Sequence, residues 1–186
     1  MNKIETLSEL EKAFSIESMS TIQDYDSHFR MLAESLINNF QIRSGNSVYR
    51  FVEIEFYLRK TESEDRKIAY ERETASGELF LHDNGVDIAF ESDKDFYGGI
   101  LIRALKKSQS FNSSGDFING PRKCLWNLVD GLNVFGRTIH TPLIEEENVE
   151  VSSFTRQGIK GDDKLFRFTI PLNIWEHKGY SGFPKK

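Results

Sequence analysis

The stretch Val52–Leu58, with the sequence VEIEFYL, decides the fold class and contains the first candidate functional residues. Its apolar residues alternate with Glu53, Glu55 and Tyr57, and a period of two residues is typical of a β-strand. The two acids and the tyrosine therefore share one face of a strand that we predict over Val48–Leu58. The pattern alone has a plain alternative, in which both acids are solvated and Tyr57 is an edge aromatic, because charged side chains are mostly exposed.

Further strands are predicted on both sides of a short turn. The Asn-Gly pair in Asp83–Gly85 is a strong hairpin signal between the alternating segments Glu78–His82 and Val86–Phe90. The apolar run Gly99–Ala104 predicts a strand that is buried on both faces. Leu165–Ile170 predicts the last strand, so strands predominate along the chain.

Helices are predicted at three places. Leu7–Phe14 has apolar residues at helical spacing, and Ser8 and Glu11 have the spacing of a capping box. A longer helix is predicted to begin near residues 24–26, and Pro121 is predicted to open a short one. The longer helix carries an apolar stripe of Phe29, Leu32, Ala33, Leu36 and Ile37. Together these elements predict an α+β fold, with a curved, predominantly antiparallel sheet and flanking helices.

Length and composition are those of one globular domain. At 186 residues the chain can bury about 70% of its unfolded surface. We predict a single domain, with a helical N-terminal extension over 1–25, a core over 26–178 and a flexible tail over 179–186. The sequence has no run of about 18 apolar residues, so no membrane span is predicted. A single cysteine and a start without the apolar segment of a secretory signal favour a reducing cytoplasm.

Motifs that hold metals or nucleotide cofactors are missing from the sequence. The four histidines share no metal-ligand spacing, and there is no glycine-rich phosphate loop. We therefore expect neither a metal nor a cofactor. A cation held by Glu53, Glu55 and Asp87 is disfavoured because the lysine that accompanies such acids in nucleases is missing. The net charge of −5 argues against wrapping along duplex DNA, since lysine and arginine supply most non-specific affinity.

Four motifs, in order, resemble those of the methylpurine-DNA glycosylases of the alkyladenine type. The family's Glu-x-Glu-Ala-Tyr strand is similar to Glu53–Leu58, and its Leu-Leu-Arg-Ala-Leu strand to Ile100–Leu105. Its Ser-Gly-Pro-x-x-Leu element is similar to Asn119–Leu125. A late Arg-x-Gly-Ile stretch, followed by a Leu-Arg-Phe-Tyr strand, is similar to Arg156–Ile159 and Leu165–Phe168. The resemblance implies a glycosylase-like fold for most of the chain.

The resemblance also implies an activity, the hydrolysis of the N-glycosidic bond of a base in DNA or in a nucleotide. Glu55 would be the general base that activates a water molecule, and Arg103 would help to hold that water and a neighbouring phosphate. A backbone carbonyl near Gln157 would complete the water site. Tyr57 would stack on a base flipped out of its helix. The expected partner is therefore a nucleic acid or a nucleotide.

Three positions depart from the family's pattern. Asp87 falls where the family has an asparagine that screens the base, and an ionised carboxylate there would select a different base or nucleoside. Tyr70 is the nearest counterpart of a histidine that packs on the base. His82 is the candidate for the wedge that fills the vacated gap in a duplex. Two alternatives stay open: a non-catalytic relative that binds a nucleotide, nucleic acid or a protein, and an unrelated structural or interaction protein.

Overall fold

A computed structural model describes residues 4–15, 22–59, 69–129, 139–145 and 147–171 of the chain. In these residues three helices flank one curled antiparallel sheet of nine strands. The predicted α+β class, with a single domain, is therefore confirmed. The predicted tail over 179–186 and the last part of the predicted core, 172–178, lie outside the described residues.

The helices are α1 (Leu7–Ala13), α2 (Ile22–Asn39) and α3 (Pro121–Val129). Pro121 opens α3 as predicted, because the fixed φ of proline suits the first turn of a helix. α2 begins at Ile22 and so runs across residue 25, where the sequence suggested that the extension ends. Among the described helices, none is long and apolar enough to cross a membrane.

A capping box starts α1, but not the one that the sequence suggested. The Thr6 hydroxyl accepts a hydrogen bond from the Glu9 N–H at 3.2 Å, while the Glu9 carboxylate accepts one from the Thr6 N–H at 2.9 Å. The predicted box at Ser8 and Glu11 is therefore wrong by two residues. The two pairs have the same spacing, and Thr6 is the residue whose extended backbone precedes the first helical turn.

The sheet is built around two long strands. Its members are β1 (Gln41–Ser44), β2 (Ser47–Arg59), β3 (Leu79–His82), β4 (Gly85–Ala89), β5 (Tyr97–Lys106), β6 (Phe117–Asn119), β7 (Ile139–His140), β8 (Ser152–Phe154) and β9 (Arg167–Thr169). The order is β3-β4-β5-β2-β1-β7, while β6 pairs with β5 and the β8–β9 pair joins β2. The predicted acidic strand, hairpin and buried strand correspond to β2, β3–β4 and β5. The last strand is shorter than predicted.

The pairing of β2 and β5 is irregular beside one functional side chain. Across the β2–β5 pair Ile54 faces Ile102 and Glu53 faces Ala104, so Arg103 has no residue opposite it. An irregularity of this kind bends the strands locally. It lies in the centre of the sheet, beside the two glutamates of β2. Because the register is the same on both sides of it, alternation along β5 places Arg103 on the face of the glutamates.

The core lies between the other face of the sheet and the first two helices. All five residues of the predicted apolar stripe on α2 are fully buried. The Phe29 ring stacks on the rings of Phe56 and Phe90, with centroid distances of 4.5 and 5.7 Å. Phe14, just after α1, packs against Phe90 at 5.5 Å. The first helix is thus part of the same aromatic core, which leaves the acidic face of β2 on the opposite side of the sheet.

Candidate functional site

A cavity of about 720 Å³ opens on the face of β2 and β5 that carries the acids. Its other walls are the β3–β4 hairpin, the start of α3 and residues 157–159. This volume suits a small ligand of the size of a nucleotide. The structure brings together six of the seven predicted site residues in the cavity wall: Tyr57, Tyr70, His82, Asp87, Arg103 and Gln157. The seventh, Glu55, lies directly behind that wall.

Glu55 is fully buried and accepts three hydrogen bonds. Its Oε2 accepts one from the Tyr57 hydroxyl at 2.6 Å and one from Nη1 of Arg103 at 3.1 Å. Its Oε1 accepts one from the backbone N–H of Gln157 at 2.9 Å. The interpretation of Glu55 as a solvated strand residue is therefore wrong, because cavity-lining groups cover its carboxylate. Gln157 contacts the carboxylate through its N–H and not through a carbonyl, and its own side-chain oxygen accepts from Arg103.

Arg103 joins the two glutamates of β2. Its Nε donates to Oε1 of Glu53 at 3.1 Å, while Nη1 donates to Glu55. Glu53 is also fully buried, and its Oε2 has no hydrogen-bond partner among the described residues. Burial raises the pKa of Glu53 to about 7, although the neighbouring charges of Arg103 and Arg167 oppose the rise. The two acids therefore differ: Glu55 is held by three donors, whereas Glu53 is only partly compensated.

Tyr57 places an aromatic ring in the cavity wall. The guanidinium of Arg156 lies 5.2 Å from the centroid of this ring, a distance typical of a cation–π contact. Arg156 is itself fixed by Asp162, whose Oδ1 lies 2.8 Å from its Nη2. Burial, together with the charge of Glu55, raises the pKa of the Tyr57 hydroxyl, which therefore stays a hydrogen-bond donor. The ring thus lies in the cavity wall, where a planar ligand could stack on it.

Asp87 is held in the cavity wall by two donors. Nη1 of Arg72 lies 2.9 Å from its Oδ2, and Nε2 of His82 lies 3.1 Å from its Oδ1. Sequence reasoning missed Arg72, which lies in none of the predicted strands, helices or motifs. A buried carboxylate needs a cationic or hydrogen-bonding partner, so the placement of Asp87 on an inward-facing strand was a signal that a nearby arginine would pair with it.

His82 and Tyr70 lie together on the hairpin side of the cavity. Their ring centroids are 4.6 Å apart, and the Tyr70 hydroxyl accepts a hydrogen bond from the Asn84 amide at 2.8 Å. The His82 side chain is directed at Asp87 and is nearly buried. The interpretation of His82 as a wedge is therefore wrong, because a wedge must project away from the surface. Tyr70 keeps more than a third of its surface exposed and can contact a ligand from the cavity mouth.

Basic side chains at the start of α3 add to the cavity wall. Arg122 and Lys123 both line it, and Nε of Arg122 donates to the backbone oxygen of Asp83 at 2.7 Å. With Arg72 and Arg103 they make four arginine and lysine side chains in the cavity wall, which also contains one acidic side chain, Asp87. The sequence placed Arg122 and Lys123 inside a motif but assigned them no role. Within the described residues no group of three or more histidine, cysteine, aspartate or glutamate side chains could hold a metal ion.

The chain matches no protein-family model and no curated protein. Its function must therefore be inferred from the arrangement of the cavity residues.

Proposed function

We propose that the cavity binds a nucleobase attached to a sugar phosphate, and that Glu55 activates water to hydrolyse the N-glycosidic bond. One observation carries the proposal: the Glu55 carboxylate lies behind a cavity wall formed by Tyr57, Arg103 and Gln157, and bonds to all three. An acid, a ring and a cation thus lie side by side. They suit the three parts of such a substrate: the attacking water, the base and the phosphate.

The cavity suits the substrate in shape and in charge. Stacking of a base on an aromatic ring contributes about 1–3 kcal/mol, and Tyr57 and Tyr70 both present rings to the cavity. Arginine and lysine are the side chains that bind phosphate oxygens. Arg72 pairs with Asp87, and Arg103 with Glu53 and Glu55, so Arg122 and Lys123 are the lining residues proposed to bind the phosphate.

The free acceptor position of Glu55 lies on Oε1. An ionised carboxylate has about four acceptor positions, and Glu55 uses two on Oε2 and one on Oε1. A water molecule bound at the remaining position would lie beside the Gln157 N–H. Because Glu55 has no exposed surface, this water enters only when Tyr57 or Gln157 shifts as the ligand binds.

In the proposed reaction Glu55 accepts one proton from the water while the water oxygen bonds to the anomeric carbon. The carbon–nitrogen bond breaks and its electron pair leaves with the base. The base then takes up, through solvent, the proton that Glu55 accepted, which restores the carboxylate. Overall, the hydroxyl group of the water is added to the sugar and its other proton to the base. Arg103 is hydrogen-bonded to the same carboxylate and holds it in position toward the water.

A second function is favoured by one specific observation. Glu55 is already satisfied by three hydrogen bonds and is fully buried, which is also the condition of a purely structural acid. On this alternative the cavity binds a nucleotide, nucleic acid or a protein segment without cleaving it. The two functions differ in one respect, whether a bound base is released.

The test is base release by the wild type and by Glu55→Gln. Substrates are alkylated and deaminated oligonucleotides, single- and double-stranded, and nucleoside monophosphates. Because a general base contributes about 10²–10⁴-fold to a rate, we expect the glutamine variant to lose at least about 100-fold while it still folds and binds. Ligand binding by the wild type without release of any base would instead favour the binding function.

Glu53→Gln is the matched control for this test. Glu53 lies on the same strand face, is equally buried and bonds to the same arginine. It does not line the cavity and it does not contact Gln157. We expect Glu53→Gln to keep base release within about tenfold of the wild type. An equal loss in both variants would show that the defect is structural, and the assignment of Glu55 as the base would then fail.

A further inference from the structure

Asp87 presents a carboxylate to the cavity from the centre of β4. Only 4% of its surface is exposed, and it lines the cavity on the hairpin side. Each of its oxygens accepts one hydrogen bond, Oδ2 from Arg72 and Oδ1 from His82. Since each carboxylate oxygen can accept two hydrogen bonds, each keeps one further acceptor position.

His82 is held as the donor in this pair. Its Nδ1 accepts a hydrogen bond from the backbone N–H of Asn84 at 3.3 Å. A ring nitrogen that accepts carries no proton, so the proton of the neutral ring is on Nε2, which faces Asp87. The ring of Tyr70 packs against His82 at 4.6 Å. His82 therefore donates its Nε2 proton to a hydrogen bond with the carboxylate.

Arg72 is fixed as firmly on the other side. Its guanidinium lies 4.3 Å from the centroid of the Phe80 ring. Gly99 leaves room for it, because a Cβ there would lie 2.5 Å from Nη2 of Arg72. Because Arg72 and His82 are both held in place, the Asp87 side chain has little freedom to rotate. It presents hydrogen-bond acceptors, and no donor, to a ligand in the cavity.

We propose that Asp87 selects bases with two adjacent N–H donors, the edge that guanine presents through its ring N–H and its 2-amino group. This inference rests on the proposed function, since it assumes that the cavity receives a base. A carboxylate and this edge match in spacing and in polarity, and a charged acceptor makes each hydrogen bond stronger than a neutral one. Hypoxanthine lacks the 2-amino group, whereas adenine has a ring acceptor in place of the ring N–H.

Selectivity is measured on the wild-type protein by calorimetric titration with three probes: GMP, IMP and AMP. GMP and IMP differ only in the 2-amino group, so the ratio of their dissociation constants isolates one hydrogen bond to the buried Asp87 carboxylate. We expect GMP to bind about tenfold or more tightly than IMP, and about 100-fold more tightly than AMP. Equal binding of GMP and IMP, or binding of none of the three, would overturn the inference.

The variant Asp87→Asn tests whether Asp87 is the selective residue. Its amide group presents one acceptor oxygen where the carboxylate presents two, so it can accept from only one of the two adjacent N–H groups of guanine. We expect the GMP preference to fall to within about threefold. Asp83→Asn removes the same charge from the exposed hairpin turn and should keep the full preference. If Asp87→Asn does not fold, the three-nucleotide comparison on the wild type still decides the inference.

The outcomes separate this inference from the proposed function. Tight, selective GMP binding without release of any base would keep the selectivity and refute the hydrolysis. Base release that depends on Glu55 but shows no preference for guanine would keep the hydrolysis and refute the selectivity.

Discussion

At the scale of single residues, Glu53 and Glu55 show how two identical side chains on one strand face acquire different chemistry. Glu55 accepts three hydrogen bonds, two from cavity-lining side chains and one from a backbone N–H. Glu53 bonds to Nε of Arg103 through one oxygen, and its other oxygen has no partner among the described residues. Burial therefore outweighs the favourable charges at Glu53 and raises its pKa to about 7.

This pKa predicts a stability difference that depends on pH. The raised pKa of Glu53 means that its protonated form is favoured in the folded state, so its contribution is fully present below about pH 4.5 and is lost as the pH rises through about 7. At 1.36 kcal/mol for each pKa unit, the wild type should lose about 3 kcal/mol relative to Glu53→Gln between pH 4 and pH 8. Urea unfolding of both proteins across this range measures the difference.

The control for that comparison is Glu71→Gln. Glu71 is exposed, so its removal should leave a flat difference over the same pH range. The reverse slope for Glu53→Gln, with the wild type gaining stability as the pH rises, would show that the arginines dominate and that Glu53 is an ordinary ionised partner.

The sequence could predict where these residues lie but not how they are covered. Alternation along β2 placed Glu53, Glu55 and Tyr57 on one face, and the structure confirms this. Their burial depends on Arg103 and Arg167, which arrive from β5 and β9 through pairings between distant parts of the chain. Local pattern contains no information on such pairings. The inward placement of Asp87 indicates that a cationic partner lies nearby, but only the folded structure identifies that partner as Arg72.

At the scale of elements, the cavity depends on close contact between the β3–β4 hairpin and the start of α3. Gly85 begins β4 with φ +152°, and a Cβ at this position would lie 2.8 Å from Cβ of Pro121 and 3.1 Å from Cδ1 of Leu101. The absence of a side chain thus lets the hairpin rest on the helix. Asp87 and Arg122, on the two sides of this contact, are held in one cavity as a result.

Gly85→Ala should therefore destabilise the protein. The added methyl group meets backbone and ring atoms of Pro121 that cannot move aside easily, and overpacking of this kind costs about 1–3 kcal/mol. Gly77→Ala is the matched control, because Gly77 also has a positive φ, +77°, but a Cβ there would meet nothing within 4 Å. Urea titration gives the free energy of unfolding of both variants. Gly77→Ala measures the cost of backbone strain alone, and Gly85→Ala measures the cost of strain together with the contact to Pro121. Equal losses would mean that the hairpin does not rest tightly on α3.

The Asn-Gly signal predicted the hairpin well, whereas the β5 bulge could not be foreseen. A turn is a local property of a few residues, so Asp83–Gly85 indicated both strands. A bulge exists only in relation to a partner strand, and here the β2–β5 register shifts at Val52 and shifts back at Arg103. The resemblance named Arg103 as a site residue, but its position at a bulge is a result of the β2–β5 register.

At the scale of the whole molecule, charge is distributed unevenly. The chain carries a net charge of −5, yet four basic groups and one aspartate line the cavity. Salt at physiological concentration screens exposed charges beyond about 8 Å. The overall negative charge therefore has little effect inside the cavity, and the local basic groups decide which ligands enter. This separation predicts that binding of an anionic ligand depends on Arg122 and Lys123 more than on the net charge.

Arg122→Gln and Lys123→Gln should each weaken GMP binding by about two- to fivefold, the range for an exposed ion pair of about 0–1 kcal/mol. Guanosine, which has no phosphate, should bind the variants and the wild type alike.

Lys12→Gln is the control for this prediction. Lys12 is an exposed residue of α1 that does not line the cavity, so the same change in net charge should leave the binding of both GMP and guanosine unaffected. Titrations at low and high salt complete the test, because the variants should lose part of the salt dependence of GMP binding. Equal weakening by Lys12→Gln would show that net charge governs binding, whereas loss of guanosine binding in the α3 variants would place Arg122 and Lys123 against the base and not against the phosphate.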